Sequence, residues 1–344
     1  MSIAPQSMVT IYSDVMAVLL LVGLVVISRE GDKRDPATGI FGSMCLGVVL
    51  IAFGNAVRAA MEGQSYAWVV PVALAAQTVA ELALLFTVYQ WMLYVDYKLY
   101  GSRDHLKRKY RFFFIPIGIM ALMLMVNCAT GFIFSMTDEA VLKPTFVYYI
   151  LISLEFLYLI FSIVSMAVYL ARGGKRRFFS ITPVLVPVIL GTVVDLTTNY
   201  SAGALGLAVG LVFMYFSLAH AWRFDDKKSG FFNKNFLSYL EEKGNDYLGV
   251  VAFKAAGRTD KLEEIIKGEL PQDSVIIHYD EKRYLFFTET DREEEIRFLA
   301  DLVQYAVNEH DEKFTDDEAI KLTYNYYVRS SEEDIRQLFF KAVN

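Results

Sequence analysis

Cysteine is nearly missing from this chain. Cys45 and Cys128 are the only two, and both lie inside apolar runs. The topology derived below puts them at opposite depths, so no disulfide is expected. No C-x-x-C or Cys/His cluster accompanies them, so no metal site is expected either. Both read as small buried hydrophobes. Lysine and arginine are missing from Met1–Val9, and no cleavage pattern follows the first apolar run. That run is therefore expected to stay as a helix rather than leave as a signal peptide. The last apolar run has no lysine, which excludes a retinal pigment held by a Schiff base. No internal repeat of the kind that marks many transporters is evident between the two halves.

Charge is scarce only in the first two thirds. Residues 1–222 carry 15 Lys/Arg and 12 Asp/Glu, whereas residues 223–344 carry 18 and 27, a net of −9. The chain as a whole is 55% hydrophobic, above the roughly 45–50% of soluble domains. It divides near Trp222 into an apolar part and an acidic, soluble part. An acidic domain lacks the basic face that displaces counterions from nucleic acid, so no nucleic-acid partner is expected.

Seven runs approach the roughly 20 apolar residues that a bilayer core requires. They are Met8–Ser28, Gly39–Ala59, Tyr66–Tyr94, Phe112–Phe134, Thr145–Leu170, Ile181–Thr198 and Ala204–Trp222. Lys and Arg crowd the loops after the first, third and fifth runs: Arg29, Lys33 and Arg34; Lys98, Arg103, Lys107, Arg108, Lys109 and Arg111; Arg172, Lys175, Arg176 and Arg177. These thirteen face Lys143 alone in the opposite loops, plus Arg58 at a helix tip. The bias puts the N-terminus outside and residues 223–344 in the cytoplasm.

Ionisable groups inside a bilayer are costly and mark protein interiors or pathways. Asp14, Arg58, Glu81, Glu155 and Asp195 fall within the runs or at their ends. Arg58 and Asp195 belong to the outer half and are placed to pair, while Glu81 and Glu155 lie nearer mid-depth. Asn55, Gln77, Thr197, Thr198 and Asn199 are polar neighbours. Tyr66, Trp68, Tyr148, Tyr149 and Tyr200 mark the outer ends. One reading is a ligand cavity open to the outside, built on Arg58, Glu81, Glu155, Asp195 and Asn199, with acids for a cation or proton. The other is an interhelical structural pair with an interfacial aromatic belt. Gly203, Gly206 and Gly210 give the last run a flat face suited to close helix packing.

Residues 223–344 read as helix Asn233–Lys243, strand Tyr247–Phe253, helix Thr259–Glu269, hairpin Ser274–Tyr279 and Arg283–Thr288, helix Arg292–His310, strand Ile320–Val328 and helix Ser331–Val343, with Ser331 as N-cap. That order predicts an α/β domain with a central, mostly antiparallel sheet.

Several residues here resemble the GGDEF family of cyclic di-GMP synthases. Asp226-Lys-Lys-Ser-Gly-Phe-Phe-Asn-Lys234 resembles the family's opening D-x-L-T-G-L-x-N-R. Asp226, Gly230 and Asn233 match outright, and Ser229, Phe231 and Lys234 match by type; Lys228 does not match. Phe253-Lys254 resembles the F-K after the family's first strand. His278-Tyr-Asp-Glu-Lys-Arg-Tyr284 falls at R-y-G-G-D-E-F, and Asn325-Tyr-Tyr-Val328 at S-x-G-v. The resemblance covers about a third of the chain. In topology alone, the seven-run part resembles bacterial sensor modules placed before such output domains.

The resemblance implies a sheet domain of that fold, but the departures remove its chemistry. The family's glycines let the hairpin approach nucleotide, and its acids hold Mg²⁺ through oxygen. Asp280 and Glu281 replace the glycines, while Lys282 and Arg283 replace the acids. Gly249, Val250, Val251 and Ala252 offer no carboxylate on the first strand. The R-x-x-D inhibitory motif would fall near Leu270–Asp273, where the arginine is missing. No catalytic residue, metal or cofactor is expected. Lys282 and Arg283 remain candidates for a nucleotide or partner contact, set against a solvated turn neutralised by its own acids. The expectation is a seven-helix sensor (1–222) in a bacterial plasma membrane with a cytoplasmic GGDEF-like domain (223–344). Its partners would be the bilayer, a small-molecule or membrane ligand, and a cytoplasmic protein or a second copy.

Overall fold

The computed structural model describes residues 5–28, 36–64, 66–100, 112–172, 180–198, 201–226, 229, 231–243, 247–256, 262–263, 265–266, 269–270, 274–311, 320–330 and 335–343. The chain forms two compact units, Met1–Ala219 and His220–Asn344.

The first unit holds α1 (Pro5–Ser28), α2 (Pro36–Met61), α3 (Val69–Tyr100), α4 (Phe114–Thr130), α5 (Phe146–Ala171), α6 (Thr182–Thr197) and most of α7 (Gly203–Trp222). Five of them, α1, α2, α3, α5 and α7, are long and apolar enough to cross a membrane. The runs Phe112–Phe134 and Ile181–Thr198 form shorter apolar helices instead. The α4 helix stops early because Gly131, at φ 62°, caps it in the left-handed region. The side chain of Asn127 then takes the next backbone groups: Nδ2 donates to Phe134 O at 3.0 Å and Oδ1 accepts from Ile133 N at 2.7 Å. The chain turns there into the hairpin β1 (Phe134–Met136) and β2 (Leu142–Pro144), antiparallel with Ser135 opposite Lys143.

The outward faces of these helices are apolar. Leu19, Leu46, Phe53, Leu157, Ile160 and Leu190 are all exposed. A soluble monomer rarely exposes contiguous patches of this kind. Small residues set the closest approach inside. A Cβ on Gly54 of α2 would lie 2.5 Å from Ala76 O and 2.9 Å from Ala80 Cβ of α3, so α2 and α3 pack nearly backbone to backbone. The flat face of α7 meets α6 in the same way: a Cβ on Gly206 would lie 2.5 Å from Pro187 O.

The second unit is built on a five-stranded sheet. Its strands are β3 (Phe232–Asn233), β4 (Gly249–Ala256), β5 (Val275–Asp280), β6 (Arg283–Thr288) and β7 (Lys321–Val328), in spatial order β3-β5-β6-β4-β7. Every neighbouring pair is antiparallel except β3–β5. Within the sheet β4 lies between β6 and β7 and is antiparallel to both, and β5 pairs with the far side of β6. The helix α9 (Glu293–Asp311) buries Ile296, Ala300, Val303 and Val307 against Val251, Phe253, Tyr284 and Phe286 on one face. The helix α10 (Ile335–Val343) packs against β4, β7 and α8 (Phe236–Lys243).

Two local expectations are corrected. Asn233 is not helical: its Oδ1 accepts Asn235 N–H at 2.9 Å and its Nδ2 donates to Arg223 O at 2.9 Å. Such side-chain bonds compete with a helix, and α8 begins only at Phe236. The first long strand runs to Ala256 rather than Phe253, because its ladder with β7 continues to Ala256 opposite Lys321. Thr259 and Ser331, expected at helix starts, lie outside the described residues.

Candidate functional site

The first unit holds a partly open cavity of about 550 Å³, within the range of small-molecule sites. Arg58, Glu81, Glu155 and Asp195, four of the five residues singled out in the apolar runs, line it together. The fifth, Asn199, lies outside the described residues, as does Tyr200. Asn55, Gln77, Tyr148 and Tyr149 also line the cavity, with Leu84, Val88, Trp91, Ile152 and Leu159 as apolar wall.

Periodicity explains the convergence. Gln77 and Glu81 are one turn apart on α3, and Tyr148 and Glu155 are two turns apart on α5, so each pair shares a helix face. Gln77 Nε2 donates to Glu81 Oε1 at 2.6 Å, and the Tyr148 hydroxyl donates to the same oxygen at 2.9 Å. Among the described residues, the buried Oε1 of Glu155 has no hydrogen-bond partner. Both carboxyl groups line the one cavity.

Arg58 and Asp195 do not form the pair that their depth suggests. The ion-pair partner of Arg58 is Glu62, one helical turn on, at 3.7 Å. Depth alone cannot see a nearer carboxylate just past the end of the same helix. Asp195 instead accepts the backbone N–H groups of Ala202 and Gly203 at the start of α7, the latter at 3.1 Å. A carboxylate suits these otherwise unpaired amides and the positive end of the helix dipole. Arg58 still acts electrostatically on Asp14, Glu81 and Asp195. Asp14 of α1 is buried, and neither of its oxygens has a hydrogen-bond partner among the described residues.

Tyr66 and Trp68 stack at 6.1 Å just before α3 and are exposed. Their position fits an interfacial belt better than the cavity wall. The lining tyrosine that matters most, Tyr148, carried no sequence signal beyond its place near a helix start.

In the second unit, Lys282 and Arg283 line a shallow pocket with Lys254, Asp280 and Glu281. Glu281 and Lys282 form the turn between β5 and β6. Asp280 binds both flanks of it: Oδ1 accepts Lys282 N–H at 3.0 Å and Oδ2 accepts Arg283 Nε at 2.6 Å. Arg283 also lies over the Tyr279 ring, 4.8 Å from its centroid. Its guanidinium is thus largely engaged within the turn, while Lys282 is exposed.

The opening motif has a structural part to play. Asp226 accepts the Ser229 hydroxyl at 2.8 Å and pairs with His278 of β5. His278 stacks on Tyr284 of β6 at 4.8 Å. These bonds tie the segment that enters the unit to the hairpin strands. Lys228 and Gly230 lie outside the described residues. Among the described residues, no three His, Cys, Asp or Glu side chains gather as metal ligands. No protein-family model matches this chain, and no curated protein matches it.

Proposed function

We propose that the chain is a multi-pass receptor of the bacterial plasma membrane. Seven helices, with the N-terminus outside, take a ligand from outside or from the membrane. Residues 223–344 act in the cytoplasm as a catalytically inactive, GGDEF-like module that binds a partner protein or a second copy. The observation that carries the reading is the cavity in the first unit, where four ionisable side chains from apolar helices converge. Such groups are costly in a bilayer unless they face a protein interior or an aqueous path. The thirteen basic residues on one set of loops support the orientation. The strand order of the second unit supports a GGDEF-like sheet, and Asp280-Glu281-Lys282-Arg283 supports the loss of its chemistry.

Crosslinking in membranes tests the reading. The full chain is compared with a chain lacking residues 223–344. Loss of a partner band or of self-association in the shortened chain is expected; identical crosslinks in both would refute the module's role.

A transporter or channel with a regulatory domain is the alternative. It is favoured by the same buried pair, Glu81 and Glu155, in one cavity. Flux in proteoliposomes that Glu155→Gln abolishes would establish it.

A further inference from the structure

We propose that the cavity takes an organic ammonium ion with an apolar body, its head group between Glu81, Gln77 and Glu155. The inference rests on the receptor reading and names the ligand class of its site.

The argument is a count of donors and acceptors. The two donors near Glu81, Gln77 Nε2 and the Tyr148 hydroxyl, both go to one oxygen, Oε1. Two acceptors have no hydrogen-bond partner among the described residues: Glu155 Oε1 and Gln77 Oε1. Glu155 is only 8% exposed and Gln77 6%, and both line the cavity. Buried polar atoms almost always have partners, so two bare acceptors beside a second carboxylate mark a place where donors arrive from elsewhere. An ammonium group brings up to three N–H donors and a positive charge. It would supply donors to both bare oxygens and a positive charge beside the two carboxyl groups.

Other ligand classes fit less well. An anion would meet two carboxylates. A neutral hydroxyl brings one donor and no charge. Arg58 lines the same cavity and its Nε has no hydrogen-bond partner among the described residues, but its ion pair is with Glu62 and no hydrogen bond joins it to Glu155 or Gln77. A bare metal ion needs a shell of oxygen ligands, and no group of three such side chains is gathered among the described residues. The volume of about 550 Å³ also far exceeds what an ion fills. Leu84, Val88, Ile152 and Leu159 provide the apolar wall, and Trp91 and Tyr149 add aromatic surface of the kind that attracts cations.

The test uses the full-length protein in phosphatidylglycerol bilayers, titrated by calorimetry with 2-phenylethylamine and with its neutral counterpart 2-phenylethanol. The amine is expected to bind about tenfold or more tightly than the alcohol, as a charge-assisted hydrogen bond implies. Glu155→Gln should erase that difference and leave the weak affinity for the alcohol. The comparison in the unsubstituted chain stands even if the variant does not fold. Equal affinities, no binding of the amine, or a preference that survives Glu155→Gln in a folded protein would overturn the proposal. Repeating the titration with phosphatidylethanolamine in the bilayer identifies the source. Weakened amine binding assigns the site to a lipid head group, and unchanged binding assigns it to a free amine; both keep the ammonium site. Equal binding of amine and alcohol would sink the ammonium and spare the receptor, whereas unchanged crosslinking of the shortened chain would sink the receptor's output and spare the site.

Discussion

Tyr148 on α5 donates its hydroxyl to Glu81 on α3 at 2.9 Å, joining positions 67 apart in the sequence. The bond fixes a buried carboxylate in place and sets the register of the two helices on which the cavity depends.

Tyr148→Phe removes that donor and keeps the ring. Leaving a buried acceptor short of a partner costs about 1–3 kcal/mol, so the melting temperature of the purified full chain in detergent should fall. An unchanged melting curve would show that the bond contributes nothing to holding α3 and α5.

Gly54→Val should be far worse than its size suggests. The added Cβ meets Ala76 O at 2.5 Å, and the overpacking is expected to cost about 1–3 kcal/mol or more. Gly23→Ala is the control. Nothing lies within 4 Å of its Cβ position, and the exchange should be neutral or stabilise the helix by up to about 1 kcal/mol. Equal melting temperatures for both variants would contradict the close approach of α2 and α3.

The hairpin of the second unit should loosen in acid. Partial burial pushes the carboxyl of Asp280 up, but the Lys282 N–H and the Arg283 side chain outweigh it and hold Asp280 below the ordinary carboxylate range. A group lowered in the folded state contributes fully above its unfolded value, and that contribution is lost as pH falls through the folded one. Hydrogen-exchange protection around Asp280 and Arg283 should therefore drop on acidification below the usual aspartate range. In Asp280→Asn that acid-dependent drop should vanish; a drop of the same size in the variant would rule out Asp280 as its cause.

The full chain, incubated with GTP and Mg²⁺, should form no cyclic di-GMP. Chromatography of the reaction mixture decides the matter. A product peak that depends on the protein would overturn the inactive reading of Asp280-Glu281-Lys282-Arg283.

Much of the fold follows from local signals. All seven apolar runs contain a helix because hydrophobic length is written residue by residue. The hairpin Val275–Thr288 was equally plain, since two β-rich runs flank a short polar turn. Where runs end was harder. Phe112–Phe134 carries no charged residue, and the left-handed Gly131 and the bonds of Asn127 divide it into a helix and a strand. The cavity was half legible. Arg58, Glu81, Glu155 and Asp195 stood out because charge is rare in apolar runs. Which of them touch depends on helix rotation and packing, which no single segment encodes. Depth matches Arg58 with Asp195, yet Glu62, just past the end of α2, lies closer. Asp14 and Glu155 look alike in sequence, but only Glu155 lines the cavity.

The unequal helices carry one more consequence. At about 1.5 Å per residue, the 17 residues of α4 and the 16 of α6 reach about 26 Å and about 24 Å, less than a hydrocarbon core of about 30 Å. On the proposed topology, lipid beside these two helices must thin or the helices must shift to meet it. The protein would then respond to acyl-chain length as well as to what enters its cavity, and would favour the thinner regions of its membrane.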